Sequence, residues 1–293
     1  MRLVSFALIF IGMTLVGCDE EAASQTTIEF APAERLAENT DPRLRETSGI
    51  AASHANPGLI WTQNDSGNEP EIYLVDTDLK IKLIVRLADI ENRDWEDIAV
   101  GPGPDPSKTY VYIADIGDNL GVYPYKYIYR FVEPKAGSTE VITLDKVDRI
   151  VFELEDGMKD TESLMVDPQS KKLYILSKRE FPASMYEIEN IGNPRDTITA
   201  PKVLTLPMLS LVAADCNHKD GSVLMKNYTN VYCWENNGNQ SIITLLKANP
   251  KTIAYESEPQ GEAITWAVDG TGFYTLSERP EGQHSYLYFY ARK

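Results

Sequence analysis

Short runs of alternating apolar and polar residues recur along the chain, as at residues 71–75, 81–87, 110–114 and 184–188. They are rich in Val, Ile, Tyr and Trp, and Gly, Pro, Asn and Asp bound them. Alternation puts successive side chains on opposite faces of an extended strand, and the bounding residues favour turns. After the N-terminal segment no stretch sustains the 3.6-residue apolar spacing of a long helix, so the pattern predicts an all-β protein.

The runs also repeat. Thr47-Ser48-Gly49-Ile50-Ala51-Ala52, Trp95-Glu96-Asp97-Ile98-Ala99-Val100, Thr161-Glu162-Ser163-Leu164-Met165-Val166, Ala213-Ala214-Asp215-Cys216-Asn217 and Gly261-Glu262-Ala263-Ile264-Thr265-Trp266 open similar units. With Ser48, Glu96, Glu162, Ala214 and Glu262 as anchors, the gaps are 48, 66, 52 and 48 residues. Each opening leads into a turn, then a second strand (59–63, 110–114, 173–177, 222–226, 272–277) and a third (71–75, 126–132, 184–188, 230–234, 285–290). A fourth fits at 81–87, 149–154, 202–206 and 241–246. Four antiparallel strands repeated every ~40–50 residues make the blade of a β-propeller. The count predicts five blades, or six if residues 141–144 start one of their own. The last unit ends one strand short at Lys293, and Thr27-Ile28-Glu29-Phe30 is expected to supply the missing outer strand and close the ring.

The N-terminus reads as an address. Met1 and Arg2 precede an uncharged run from Leu3 to Gly17, the length of a signal-peptide core and short for a membrane span. It ends Leu15-Val16-Gly17-Cys18, which resembles the lipobox of bacterial lipoproteins. That resemblance implies cleavage after residue 17, acylation of Cys18 and anchoring in a membrane. Residues 18–26 then form a tether and 27–293 the propeller domain. Asp19 resembles an inner-membrane retention signal, which places the protein on the periplasmic side of that membrane in a Gram-negative cell.

Charge narrows the partners. The chain carries 28 Lys and Arg against 44 Asp and Glu, a net charge of −16. Loss of residues 1–17 removes one Arg and no acid, leaving −17. Such a balance excludes a phosphate backbone or an anionic lipid surface as the partner. Cys216 and Cys233 sit on a first and a third strand of one blade, roughly 9–10 Å apart at regular spacing. A disulfide needs Cα atoms within about 7 Å, so both are expected as small buried hydrophobes, with a bridge as the alternative if the strand bends.

Loops that enter first strands and leave second strands open on one face of a propeller, around the central channel. Here they gather the unusual polar residues. Entry loops bring Glu46, Asp94, Glu96, Asp97, Asp160, Glu162, Asp215 and Glu262; exit loops bring Asn64, Asp65, Lys178, Arg179, Lys226, Glu278 and Arg279. The expected ligand set is Glu46, Asp65, Glu96, Asp97, Glu162, Lys178, Arg179, Asp215, Lys226, Glu262, Glu278 and Arg279. Clustered carboxylates need a cation, a basic partner or bound protons. Asp115-Ile116-Gly117-Asp118-Asn119 is the candidate metal loop, with calcium the cation and Asp115, Asp118 and Asn119 its ligands. An alternative role for the repeated glutamates, Glu96, Glu162 and Glu262, is to accept N–H bonds from a neighbouring blade. With three histidines, there is no Ser-His-Asp set and no zinc spacing.

Ser48-Gly49-Ile50, Asn64-Asp65-Ser66-Gly67, Asp94-Trp95-Glu96-Asp97-Ile98-Ala99, Asp115-Ile116-Gly117-Asp118-Asn119 and Gly261-Glu262-Ala263-Ile264 resemble a family of secreted bacterial β-propeller proteins over residues 45–290. The resemblance implies a propeller and export, and no established activity. A more distant similarity, of fold and acidic mouth only, is to calcium-dependent β-propeller phytases. The expected function is binding of a ligand or protein partner at the acidic mouth. The alternative is a metal-dependent hydrolase, most plausibly a phosphoesterase.

Overall fold

A computed structural model describes residues 28–189, 196–237 and 239–293. The sequence-derived signal peptide, Cys18 and the tether lie outside these residues.

Five antiparallel blades form the ring. Blade 1 runs outward through Thr47–Ala52, Ile60–Asn64, Glu71–Val75 and Ile81–Leu87; blade 2 through Trp95–Pro102, Thr109–Asp115, Lys126–Val132 and Asp148–Leu154. Blade 3 comprises Thr161–Val166, Leu173–Ser177, Ala183–Ile188 and Lys202–Leu206; blade 4 comprises Ala213–Cys216, Val223–Lys226, Val231–Trp234 and Lys251–Ile253. Blade 5 comprises Ala263–Trp266, Gly272–Leu276 and Tyr286–Ala291, and its outermost strand is Glu34–Glu38. That strand lies later in the chain than the expected Thr27–Phe30, of which Phe30 makes a single bridge to Arg292.

Two other expectations are corrected. Val141–Leu144 begins no sixth blade: it pairs in parallel with Ile81–Leu87 and becomes a fifth strand on blade 1. Ile198–Ala200 does the same for blade 2 against Asp148–Leu154. Long inter-strand segments thus fold back and cover the open edges of the preceding blade, satisfying N–H and C=O groups that an edge leaves bare. In blade 4, residues 241–246 form a short helix, Ile242–Leu245, rather than the fourth strand. Ser241 caps it by accepting from the Thr244 N–H, and Ile242, Leu245 and Leu246 bury one face, the i, i+3, i+4 spacing of a helix.

Apolar side chains fill each gap between neighbouring blades, the gap between blades 5 and 1 included, where Ile50, Ile60 and Tyr73 meet Ala263, Leu276 and Leu287. Trp95 is wholly buried between blades 1 and 2, so the tryptophan of the most distinctive motif is a packing residue. Cys216 and Cys233 are free and buried. They face opposite sides of blade 4, Cys216 toward blade 3 and Cys233 toward blade 5, which is why they do not meet.

Inner strands of adjacent blades do not pair with one another, so side chains stitch them. Ser48 Oγ and Gln63 Nε2 donate to the Glu96 carbonyl at 2.6 and 3.0 Å, Thr161 Oγ1 to the Ile116 carbonyl at 2.7 Å, and the Ala52 N–H to Thr265 Oγ1 at 3.1 Å. First strands start and second strands end on one face, the channel mouth. The chain enters the described region on the other face, where Ala31 N–H donates to the Ala291 carbonyl and Lys293 N–H to that of Glu29.

Candidate functional site

Three glutamates at the same register position, Glu96, Glu162 and Glu262, start the inner strands of blades 2, 3 and 5 and converge at the mouth. Lys178 leaves the second strand of blade 3 and places Nζ 2.8 Å from Glu162 Oε1 and 3.8 Å from Glu262 Oε1. Tyr228, from the exit loop of blade 4, donates its hydroxyl to Glu262 Oε1 at 2.6 Å, and its ring lies 5.6 Å from Lys178 Nζ. Glu96 lies beside Glu162, so ionising both carboxyls is unfavourable. Burial, then the Glu162 charge, holds Glu96 well above the usual carboxylate range. Burial pushes Glu162 up to about 7 against the pull of Lys178. Lys178 is partly buried, which alone would lower its pKa, but the Glu162 charge outweighs this and raises it.

Beside this group, Asp65, Asp94 and Glu96 bring carboxylate oxygens within 4.8 Å of one another. Burial lifts Asp65 to about 6 and raises Asp94, with Asp160 adding to the latter. Gly117 is what allows this proximity: a Cβ there would overlap Glu96 Oε1 and the Asp94 carboxyl group. Glu278 completes the arc. It accepts from Gln260 Nε2 at 3.0 Å, and burial, then Glu262 and Asp65, push it up to about 8. The mouth therefore crowds carboxyls together, and burial displaces Asp65, Glu96, Glu162 and Glu278 toward their protonated forms.

Other sequence candidates lie elsewhere or are engaged. Asp97 and Asp215 take the inter-blade structural role. Asp97 accepts from the Leu164 and Ile98 N–H groups at 2.8 and 2.9 Å; Asp215 accepts from the Trp266 and Cys216 N–H groups at 2.7 and 2.8 Å and from Thr265 Oγ1 at 2.9 Å. Lys226 is fully buried and donates to Glu258 Oε2 at 3.1 Å and to Tyr255 OH at 2.9 Å, so it does not reach the mouth. Arg279 binds main chain, donating to the Asn39 carbonyl at 2.9 Å. Glu46 lies further out, accepting from Asn68 Nδ2 at 2.6 Å.

The Asp115–Asn119 loop is not gathered into one ligand set. Asp115 pairs with Arg93 at 3.2 Å; Asp118 accepts from the Val122 and Tyr123 N–H groups at 2.7 and 2.9 Å; Asn119 Oδ1 takes Arg179 Nη2. Arg179 also binds Asp160 at 2.6 Å. The carboxylates that do sit at ligand distance are Asp65, Asp94 and Glu96, contributed by two blades. Sequence reasoning also missed Arg93 and Lys126. Arg93 stacks over Tyr123 and Tyr127, and the buried Lys126 donates to the Ile116 carbonyl at 2.5 Å. Arg93 abuts the Asp94-Trp95-Glu96 motif, a position that could have flagged it; Lys126, at the start of a third strand, offered no such cue. At the opposite end of the channel His54 and His218 meet edge to face, ring centroids 4.3 Å apart, and burial lowers both, His218 to about 3.

No protein-family model matches the chain, and no curated protein matches it. Among solved structures, it is similar to the PQQ-bound aldose sugar dehydrogenase of Streptomyces coelicolor, with 12% identity and a TM-score of 0.52, over 91% of this chain and 98% of that one. A gluconolactonase of Xanthomonas campestris, XC5397, aligns at 12% identity and a TM-score of 0.48, over 84% of this chain and 72% of that one. At this identity the dehydrogenase likeness is one of fold: this chain is a β-propeller.

Proposed function

We propose that the protein is an envelope-anchored binding propeller whose channel mouth accepts the positive charge of a ligand or protein partner. The observation that carries this reading is the meeting of Glu162 and Glu262 at the Lys178 ammonium, with Glu96 beside Glu162. Crowded buried carboxyls are costly when ionised, and a guest ammonium or guanidinium group offsets that cost in place of the protons that Glu96 and Glu162 favour. Binding alone fits this arrangement without any chemical step.

A second reading rests on Asp65, Asp94 and Glu96, whose oxygens are spaced for a divalent cation, calcium by its tolerance of carboxylate-rich geometry. In that reading the metal serves a hydrolase, with phosphoesters as the substrate class. Cation titration separates the two. Arginine amide binding that Glu262→Gln weakens supports the first. Calcium binding that Asp94→Asn abolishes, with turnover of a phosphoester, favours the second.

Anchoring through Cys18 is part of the proposal. Ile28 and Phe30 lie on the face opposite the mouth, so a lipid at Cys18 would hold the mouth away from the membrane. Incorporation of labelled palmitate that Cys18→Ser abolishes is the expected result; equal labelling of both chains refutes the anchor.

A further inference from the structure

Most of the large apolar side chains that stand exposed among the described residues share one place. Leu120, Val122, Tyr125, Met158, Phe181 and Leu209 all lie on the mouth face, in loops of blades 2 and 3 and the crossing from blade 3 to blade 4. Leu120 is 84% exposed and Phe181 70%. Single exposed apolar residues are ordinary, but a patch confined to one arc of a channel mouth marks an interaction surface.

Contacts tie this arc to the acidic centre. Leu120 follows Asn119, which Arg179 holds; Met158 lies two residues before Asp160, which binds the same Arg179. Phe181 lies three residues after Lys178, and Ser210, next to Leu209, donates its N–H to the Lys178 carbonyl at 2.9 Å. The facing arc, from blades 5 and 1, is polar and acidic: Glu278, Glu46, Asp65 and Asn68. The mouth is thus apolar on one side, acidic on the other, and floored by Glu96, Glu162 and Glu262.

We infer that this mouth docks a polypeptide segment that carries a Lys or Arg beside aliphatic or aromatic residues. The cation enters among the three glutamates and its apolar neighbours cover Leu120, Met158, Phe181 and Leu209. The inference rests on the proposed function and adds the class of partner. Charge complementarity selects the occupant: an anionic bilayer is repelled by a chain of net charge −16, and an apolar ligand alone leaves the carboxyls uncompensated. A segment with both properties satisfies both arcs, with apolar burial supplying affinity and the charge fixing register.

The test is selection of a random 12-residue phage-displayed peptide library on the purified protein, followed by titration of the enriched peptides as fluorescent synthetics. Enriched sequences are expected to pair Lys or Arg with Leu, Met, Phe or Trp. Affinity is expected to fall at least tenfold for Phe181→Ser/Leu209→Ser, whose changes are at exposed positions, and likewise for Glu262→Gln. Peptides with basic residues alone that bind both proteins equally overturn this inference and leave the cation-binding reading standing. Enriched peptides without basic residues, or no enrichment, overturn the inference; if arginine amide also fails to bind, the cation-binding reading falls with it. Sedimentation with phosphatidylcholine vesicles that depends on Phe181 and Leu209 assigns the arc to a lipid surface instead and refutes the polypeptide.

Discussion

Lys226→Met is expected to destabilise the propeller by about 3–5 kcal/mol while leaving cation binding at the mouth unchanged. Lys226, at the end of the second strand of blade 4, and Glu258, in the segment leading to blade 5, are both buried, their charged atoms 3.1 Å apart. Burial outweighs the pull of Glu258 and lowers the lysine pKa, so the pair already bears a desolvation cost. Removing only the ammonium leaves Glu258 with the Tyr255 hydroxyl and with Thr275 Oγ1 at 2.8 Å, two neutral donors for a buried anion. Methionine conserves length and volume, so packing changes little. For a domain of this size the loss corresponds to a fall in Tm on the order of 10 °C. Adding Glu258→Gln removes the orphaned charge and should restore most of the stability. A loss below about 1 kcal/mol in the single variant would show that the pair is solvated and the blade open there. Weakened cation binding would return Lys226 to the mouth.

Stability is expected to fall as pH rises from 6.5 to 8, the reverse of the usual acid sensitivity. The sign follows from proton counts. Glu162, at about 7, and Glu278, at about 8, titrate above the ordinary glutamate value, and Glu96 is displaced in the same direction. Between the unfolded and folded pKa values the folded chain binds more protons, so unfolding becomes easier with each step in pH. His54 and His218, lowered by burial, act with the opposite sign, and their contribution fades as pH rises above 6.5. The upper limit of the window excludes Lys126, lowered by burial to about 8, which acts oppositely above that value; Lys226, also lowered by burial, opposes the slope in the same sense. The salt-bridged Asp41, Asp76 and Asp156, all lowered, act below 4. Each unit of displacement corresponds to about 1.4 kcal/mol, and coupling makes the three less than additive, so a fall of several °C is expected at low salt. Differential scanning calorimetry across this window reads it directly. Glu96→Gln, which mimics the protonated acid, should flatten the slope. A Tm that rises between pH 6.5 and 8 would mean that the mouth carboxyls are ionised and hydrated.

The blades were legible because strand alternation and turn residues are local, and the anchors at Ser48, Glu96, Glu162, Ala214 and Glu262 recur in register. Parallel edge strands such as Val141–Leu144 were not, because nothing local tells a strand which blade it will join. The helix at Ile242–Leu245 differs from the expected strand because a short apolar run fits either period, although Ser241 directly before that run is an N-cap residue type. Register alone placed the three glutamates and Lys178 on one face, where Glu162 and Glu262 meet Lys178. Register could not separate Glu96 from Asp97, because the strand pairing slips between Trp95 and Asp97 and leaves Glu96 out of step. One faces the channel; the other binds Leu164 of the next blade. Nor could it show that Lys226 ends in a closed layer with Glu258, since that contact spans 32 residues of intervening chain.

The central claim is that the mouth exchanges its protons for a guest cation. Titration calorimetry with arginine amide near pH 7, in two buffers of different ionisation enthalpy, measures both binding and the protons released. Saturable binding with release of a fraction of a proton per site, lost in Glu96→Gln/Glu262→Gln, is the predicted result. Binding that neither releases protons nor depends on these two glutamates, or no binding at all, would contradict it.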